Sequence, residues 1–254
     1  MRWVAYCPGS YLNATRSFVR YVIPPSSGRW MSCATTSATR RWGPETLAGL
    51  VHDLGPHARA TTPAEAAKEG DVVVAIPLRN YPQVPTEELR GKIVIDTMNY
   101  YPQRDGNIAE LDDESTTSSA LLAAHLPDSR VVKGFNNIFF QHLAALPRAT
   151  GADDRSALAI AGDEHEAKKV VSEHLDQIGY DTVDLGLLSE GWRTQPDTAA
   201  YGVMYAVNPQ AWDQGARPAS AVEVAPPPRP ARCPGHHVGP QMSRPTATTR
   251  IGQP

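Results

Sequence analysis

The sequence predicts an α/β fold built on a doubly wound, mostly parallel sheet, because short apolar runs alternate with segments of helical periodicity. The two clearest runs are Asp71-Val-Val-Val-Ala-Ile-Pro-Leu78 and Lys92-Ile-Val-Ile-Asp-Thr97. Both are rich in β-branched residues and lack polar alternation, which is typical of strands buried on both faces. Because such sheets bind ligands at the carboxyl ends of their strands, we expect function at Ala75 to Leu78 and just after Asp96.

Local signals place the other elements. Helices are predicted from Pro44 to Leu54, after a Thr62–Glu65 capping box up to Gly70, over 84–90, after caps at 116–119, over 138–146, and from an Asp163–Glu166 capping box to Gly179. Strands are predicted over 71–76, 92–96, 130–135, 156–161 and 182–185. Residues 2–6 and 18–23 are two candidates for a strand at the centre of the sheet.

Charge divides the chain into three parts. All 27 acidic residues and all five lysines lie between Gly43 and Glu223, whereas the two ends hold ten arginines and all three cysteines. We predict an NAD(P)-binding domain over residues 43–223. Residues 1–42 are expected to be a divergent, irregular segment in place of the first βαβ unit, and residues 224–254 a disordered Pro/Arg-rich tail.

Composition excludes several functional classes. A net charge of −3 argues against a nucleic-acid partner. No run approaches the roughly 20 apolar residues that span a bilayer, and the apolar stretch within residues 1–12 is too short for a signal peptide. Three scattered cysteines indicate a reducing compartment. We therefore expect a cytoplasmic protein with a small-molecule substrate and no membrane partner.

The expected dinucleotide fingerprint is absent. A G-x-G-x-x-G motif normally follows the first strand, where its glycines let the backbone approach a pyrophosphate. Residues 1–42 contain only Gly9 and Gly28. No catalytic acid/base constellation stands out, and Cys233 with His236 and His237 lacks a fourth ligand, so no metal site is predicted.

Six ordered blocks carry a family resemblance. They are Gly43-Pro-Glu-Thr-Leu47, Asp71–Leu78, Val94-Ile-Asp-Thr-Met-Asn-Tyr-Tyr-Pro102, Val131-Val-Lys-Gly-Phe-Asn-Asn137, Ile160-Ala-Gly-Asp163 and Glu190-Gly-Trp-Arg193. In order and spacing they resemble the NADPH-dependent reductases of the deazaflavin coenzyme F420 and their bacterial relatives. The resemblance implies a Rossmann-type fold, NADP as cofactor, and F420 as co-substrate. It also implies direct hydride transfer between two stacked rings, without a protein nucleophile, and leaves a homodimer open.

The resemblance also implies the positions of the site residues. Ala75, Ile76, Pro77 and Leu78 would pass under the nicotinamide and its ribose, Asn99, Gly134, Phe135 and Asn136 would wall the nicotinamide, and Arg41, or Arg40 beside it, would reach the 2′-phosphate. Plainer interpretations stay open for several positions. The two asparagines are also typical of turns, Gly134 of tight packing, Trp192 of either an acceptor pocket or a surface anchor, and Asp96 of either a ligand contact or a turn cap.

The sequence departs from the family before Gly43. Relatives carry a Ser-, Asn- or Arg-type residue directly before this block, whereas this chain has Trp42. One hypothesis is that residues 1–42 and 225–254 are out-of-frame translations, which resequencing of the gene would test. The leading functional interpretation is an NADP-dependent oxidoreductase acting on a deazaflavin. The alternatives are a reductase of an imine or other small acceptor, and a non-catalytic Rossmann remnant.

Overall fold

The computed structural model describes residues 3–6, 31–34, 48–54 and 58–225. Its strands are β1 Trp3–Tyr6, β2 Met31–Ala34, β3 Ala58–Thr61, β4 Asp71–Val74, β5 Ile93–Asp96, β6 Arg130–Gly134, β7 Ala157–Gly162 and β8 Asp181–Asp184. Its helices are α1 Ala48–Leu54, α2 Pro63–Glu69, α3 Pro102–Asp105, α4 Ala109–Asp112, α5 Ser118–His125, α6 Phe140–Ala145, α7 His165–Gln177 and α8 Ala221–Val224. Short 3-10 turns cover Leu78–Gln83, Glu87–Leu89, Leu188–Thr194, Val203–Tyr205 and Trp212–Gln214. Within these ranges, none of the helices has both the length and the apolar character that a membrane crossing requires.

The strands form one sheet in the order β3-β2-β1-β4-β5-β6-β7-β8. Neighbouring strands are parallel except for the antiparallel pair β6 and β7. The predicted doubly wound, mostly parallel sheet is thereby confirmed. Strand β1 lies between β2 and β4, with Tyr6 in register with Val74, so residues 3–6 take the central position. The strand order reverses between β1 and β4, which makes this the topological switch point of the sheet.

Two apolar layers cover the faces of the sheet, because successive strand residues point to opposite sides. Val73 and Ile95 pack in one layer, together with the buried faces of α6 and α7. Val74 and Val94 pack in the other layer, together with α2 and α5. Strands β4 and β5 are therefore buried on both faces, as their unbroken apolar sequences predict.

Helix-capping signals in the sequence predict the structure correctly where no distant segment binds the capping group. Helix α2 has the predicted capping box, in which the Thr62 hydroxyl accepts from the Glu65 amide and Gly70 follows the last turn. The predicted helix over residues 84–90 is wrong. Two 3-10 turns flank an extended Val84 (φ −68°, ψ 128°), because Pro85 disfavours helical backbone in the residue before it.

The predicted Asp163–Glu166 capping box is also wrong. Helix α7 begins after Glu164, which makes no side-chain cap. The Asp163 carboxylate instead accepts a hydrogen bond from the Leu188 amide at 2.9 Å, so a distant segment has taken the capping group. Strands β2 and β3 were not predicted. The helix start at Pro44, the strand candidate over residues 18–23 and the predicted tail lie outside the described residues.

Gly179, between α7 and β8, offers a stability test. Its φ is +98°, and a Cβ added there would lie 2.8 Å from the Pro147 Cβ. Gly179→Ala should lower the free energy of unfolding by about 3 kcal/mol, through left-handed strain and overpacking together. Urea denaturation measures the loss.

Gly91→Ala is the matched control. Gly91 also has a positive φ, +72°, but no described atom lies within 4 Å of the added Cβ. The expected loss is about 1 kcal/mol, from backbone strain alone. Equal losses in the two variants would show that the contact with Pro147 costs nothing.

Candidate functional site

The segment after β4 follows the switch point directly. Ala75 is half-buried, whereas Ile76, Pro77 and Leu78 are buried, and Ile76 and Leu78 belong to the core layer shared with α2 and α5. The Thr97 amide and hydroxyl both donate to the Val74 carbonyl, each at 3.1 Å. The ends of β4 and β5 are therefore held together, and a ligand at this edge would meet the Ala75 side chain and the backbone around it.

A buried ion pair lies beneath the ends of the next two strands. Asp96 and Lys133 are register neighbours on β5 and β6, with exposures of 0% and 1%. The Lys133 Nζ donates to Asp96 Oδ2 at 3.1 Å and to the Met98 carbonyl. The other Asp96 oxygen accepts from the Met98 amide at 2.8 Å. Asp96 therefore caps the turn after β5, which is the plainer of its two interpretations.

Hydroxyl groups complete this buried cluster. The Ser119 hydroxyl donates to Asp96 Oδ2 at 2.7 Å, and Ser118 Oγ lies 3.4 Å from Lys133 Nζ. Burial lowers the pKa of Lys133 below its ordinary value, and the adjacent Asp96 carboxylate offsets only part of this effect. Burying two charges costs several kcal/mol per ion unless further hydrogen bonds satisfy both groups, and here the serines and the Met98 backbone supply them.

The structure brings together the two predicted asparagines. The Asn99 Nδ2 donates to the Asn136 carbonyl at 2.8 Å, and the Asn136 Nδ2 donates to Asn99 Oδ1 at 3.1 Å. Asn136 also donates to the Thr194 carbonyl at 2.7 Å and accepts from the Thr194 hydroxyl at 3.1 Å. The amide pair thus joins the loops after β5 and β6 to a third segment of the chain.

Gly134 and Phe135 end strand β6 in different ways. A Cβ at Gly134 would lie 3.6 Å from Ile160 and 3.7 Å from Ile95, which are ordinary contacts, so packing alone does not require a glycine there. Phe135 has a φ of +63° while its side chain is buried in the core. Positive φ is a true outlier for a bulky residue, and such strain concentrates at functional sites.

Residues 188–201, which we call the covering segment, cross the ends of β5 and β6. Besides Thr194, the Gln195 amide donates to Ser118 Oγ at 3.2 Å, and Asn137 Nδ2 donates to the Ala200 carbonyl at 3.0 Å. Trp192 of this segment is 38% exposed and faces the Arg193 guanidinium, 5.3 Å from the ring centroid. The structure thus places Trp192 at the surface.

Two tyrosines that are not among the predicted site residues lie next to the asparagines. The Tyr101 and Tyr201 hydroxyls form a hydrogen bond with each other, and Asn99 Nδ2 lies 3.5 Å from the Tyr201 hydroxyl. Burial and the bond to Tyr101 raise the pKa of Tyr201, so it is a neutral phenol. Tyr101 lies inside the family block Val94–Pro102, but no sequence signal links it to a residue 100 positions away.

The phosphate-binding half of the expected site falls on residues that the structure does not describe. Arg40, Arg41 and Trp42 are not among the described residues. A surface depression of about 500 Å³, lined by Arg59, Thr61, Glu65, Lys68 and Glu69, lies at the β3 edge of the sheet. Four strand spacings, roughly 19 Å, separate β3 from β5. This depression is therefore distinct from the asparagine pair.

A family model described as "NADP oxidoreductase coenzyme F420-dependent" matches residues 35–100. The resemblance drawn from the sequence blocks is thereby confirmed. The match includes the first two blocks and most of the third. It begins after β1, so it leaves out the position where the glycine fingerprint would stand.

Individual proteins extend the comparison. Metalloreductase STEAP3 of Rattus norvegicus is 32% identical over 149 residues, which are 58% of this chain and 28% of that protein. The chain thus spans less than a third of this relative.

Solved structures share the fold. A hypothetical protein, SMa0349 from Sinorhizobium meliloti, has a TM-score of 0.59 and 22% identity over 78% of this chain and 91% of that one. A putative F420-dependent NADP-reductase from Arthrobacter sp. FB24 has a TM-score of 0.57 and 21% identity over 73% and 84% of the two chains. At these identities the likeness concerns the fold.

The asparagine network makes a stability prediction of its own. Asn136→Ala removes the side-chain bonds to Asn99 and Thr194 and leaves their polar groups unpaired. We expect the free energy of unfolding to fall by about 3 kcal/mol, as measured by urea denaturation. The control is Asn208→Ala, which removes two exposed hydrogen bonds, one to Gln214 and one from the Gln210 amide, and should cost less than about 1 kcal/mol because water can replace both. Similar losses in both variants would contradict this account.

Proposed function

We propose that this chain is an NADP-dependent oxidoreductase that binds the nicotinamide at the ends of β4, β5 and β6. The observation that carries the proposal is that Ala75 follows β4 at the β1/β4 switch point, while the hydrogen-bonded Asn99 and Asn136 follow the next two strands, β5 and β6, at the same edge of the sheet. Ligands of open α/β sheets bind in the crevice at such a point. When bound, NADPH would supply the hydride.

The residues present fit the nicotinamide end of such a cofactor. Ala75 is small and half-buried, so a flat ring can approach the strand end. The half-buried Asn99 accepts one hydrogen bond at Oδ1, which keeps a lone pair for the NH2 group of a carboxamide, while the amide donors of both asparagines are held within the protein. Phe135, with a φ of +63°, directly follows β6. The proposed contacts at Gly134, Ile76, Pro77 and Leu78 are through the backbone. Arg41, or Arg40, remains the proposed contact with the 2′-phosphate.

The pyrophosphate end is expected to bind weakly. Strand β1 ends at Tyr6, and the residues after it are Cys7-Pro-Gly-Ser-Tyr-Leu12, with a single glycine where the fingerprint has three. The fingerprint supplies backbone N–H groups and close approach to the pyrophosphate. Its absence from the sequence removes charge-assisted hydrogen bonds, so the affinity should depend mainly on the nicotinamide end.

The first functional test is a titration of the full chain with NADPH. Binding should change the cofactor fluorescence and raise the melting temperature, because a ligand of the folded state stabilises that state. A parallel titration with NADH tests for a 2′-phosphate contact. If neither the fluorescence nor the melting temperature responds to NADPH, the chain is a non-catalytic Rossmann remnant.

The second test locates the nicotinamide. In Ala75→Trp, the indole would fill the crevice at the switch point, and NADPH affinity should fall at least about tenfold in the same titration. Ala124→Trp, on the exposed side of α5, is the control and should leave the affinity unchanged. Equal affinity in both variants would place the cofactor elsewhere.

The acceptor is the finer part of the proposal. The family description and the Arthrobacter structure favour a deazaflavin, while the alternative is an imine or another small acceptor. The name of the metalloreductase relative adds an oxidised metal ion as a third class of acceptor, for which a ferric chelate serves as the probe. NADPH oxidation with F420, a cyclic imine and a ferric chelate separates these classes. A cytoplasmic location and a homodimer belong to the same proposal.

A further inference from the structure

We propose that the buried Asp96–Lys133 ion pair is the positioning element of the Asn99–Asn136 amide pair, and through it of the nicotinamide. The inference rests on the proposed function for its cofactor. For the protein without cofactor, the inference is that the charge pair holds the two amides in their observed geometry. This effect is separate from any contribution of the pair to the stability of the fold.

The first step of the argument is the Met98 backbone. Asp96 accepts from the Met98 amide at 2.8 Å, and Lys133 donates to the Met98 carbonyl. The two charged groups thus take both backbone polar groups of the residue directly before Asn99. Rotation of either peptide beside Met98 would break a charge-assisted hydrogen bond, so the backbone that carries Asn99 is fixed in direction.

The second step is the position of Lys133 in strand β6. It lies three residues before Asn136 and in register with Asp96, so one ion pair joins the two strands whose following loops carry the asparagines. Asn99 and Asn136 then exchange two hydrogen bonds at 2.8 and 3.1 Å. A displacement of either strand end would therefore separate the amides.

The third step is the contact with the covering segment. A Cβ on Gly191 would lie 3.3 Å from the Lys133 Cγ and 3.9 Å from the Ser119 hydroxyl, so this segment packs directly on the ion pair. Thr194, three residues later, bonds Asn136. The ion pair consequently contacts each of the elements that border the amide pair.

Three variants separate geometry from stability. Lys133→Met leaves a buried carboxylate unpaired and should lower the melting temperature by on the order of 10 °C. Asp96→Asn leaves the lysine unpaired. The double variant Asp96→Asn/Lys133→Met buries no charge, and its asparagine can still accept from Met98 and donate to Ser119, so it should regain at least half of the lost melting temperature.

The decisive measurement is the rate of hydrogen exchange of the Asn99 and Asn136 side-chain amides with solvent. In 15N NMR spectra, assigned with Asn99→Ala and Asn136→Ala, the two NH2 groups should exchange slowly with solvent in the wild type. Exchange should be at least about tenfold faster in both single variants and in the double variant, where NADPH affinity should also be about tenfold lower.

Arg155→Met is the control for lost stability. This guanidinium is equally buried, its side chain being 3% exposed, and it pairs with Asp176 and Asp181 away from the asparagines. It should lower the melting temperature without accelerating amide exchange. If the variants of the ion pair do not fold, Ser119→Ala removes one bond to Asp96 and should accelerate exchange to a smaller degree.

Each outcome decides the inference. Restoration of slow amide exchange in the double variant, or equal acceleration in Arg155→Met, would show that the ion pair is purely structural and overturn it. Wild-type protein that does not bind NADPH would contradict the proposed function alone, because amide exchange is measured without cofactor. Fast exchange in a refolded, charge-free double variant supports the inference.

Discussion

The buried Asp96–Lys133 ion pair is the interaction on which the rest of this sheet edge depends. Its members are register neighbours on parallel strands, and their exposures are 0% and 1%. A pair of this kind contributes little net stability, because desolvation offsets most of the attraction between the charges. The pair instead fixes the orientation of its neighbours, because its charged groups form hydrogen bonds of defined geometry with the Met98 backbone and the α5 serines. A purely apolar edge would pack equally well without fixing that orientation.

The sequence predicts this fold as far as local physics decides it. The unbroken apolar runs at Asp71 and Lys92 became central strands. The Thr62 capping box formed because the hydrogen-bond donors to the Glu65 carboxylate, from Thr61 and Thr62, are its neighbours in sequence. Asp163 shows the limit: its residue type favours a cap, but the Leu188 amide binds it instead. That competition joins residues 25 positions apart, and no local pattern reports it.

The residues of the candidate site likewise fall into those that local sequence predicts and those that only distant contacts bring to the site. The strand ends and Asn99 with Asn136 follow from topology and from the family blocks, which are local in sequence. Tyr201 and Thr194 reach the site from the covering segment, which has no periodicity to predict its path. Their partners lie 100 and 58 positions away, respectively, in Tyr101 and Asn136. Such contacts depend on the completed sheet, so they could be found only in the structure.

The two halves of the expected nucleotide site contribute differently to binding and to turnover, and this difference has kinetic consequences. Pyrophosphate contacts hold substrate and transition state equally, so their absence should weaken binding of the cofactor and leave the turnover of bound cofactor largely unaffected. Orientation of the nicotinamide acts on turnover itself, because hydride transfer depends on the alignment of two rings. In this chain the half that we propose to orient the nicotinamide, around Asn99 and Asn136, borders a buried charge pair whose charged groups are hydrogen-bonded. We therefore expect that the missing glycine fingerprint lowers the affinity for the cofactor more than it lowers the turnover of bound cofactor.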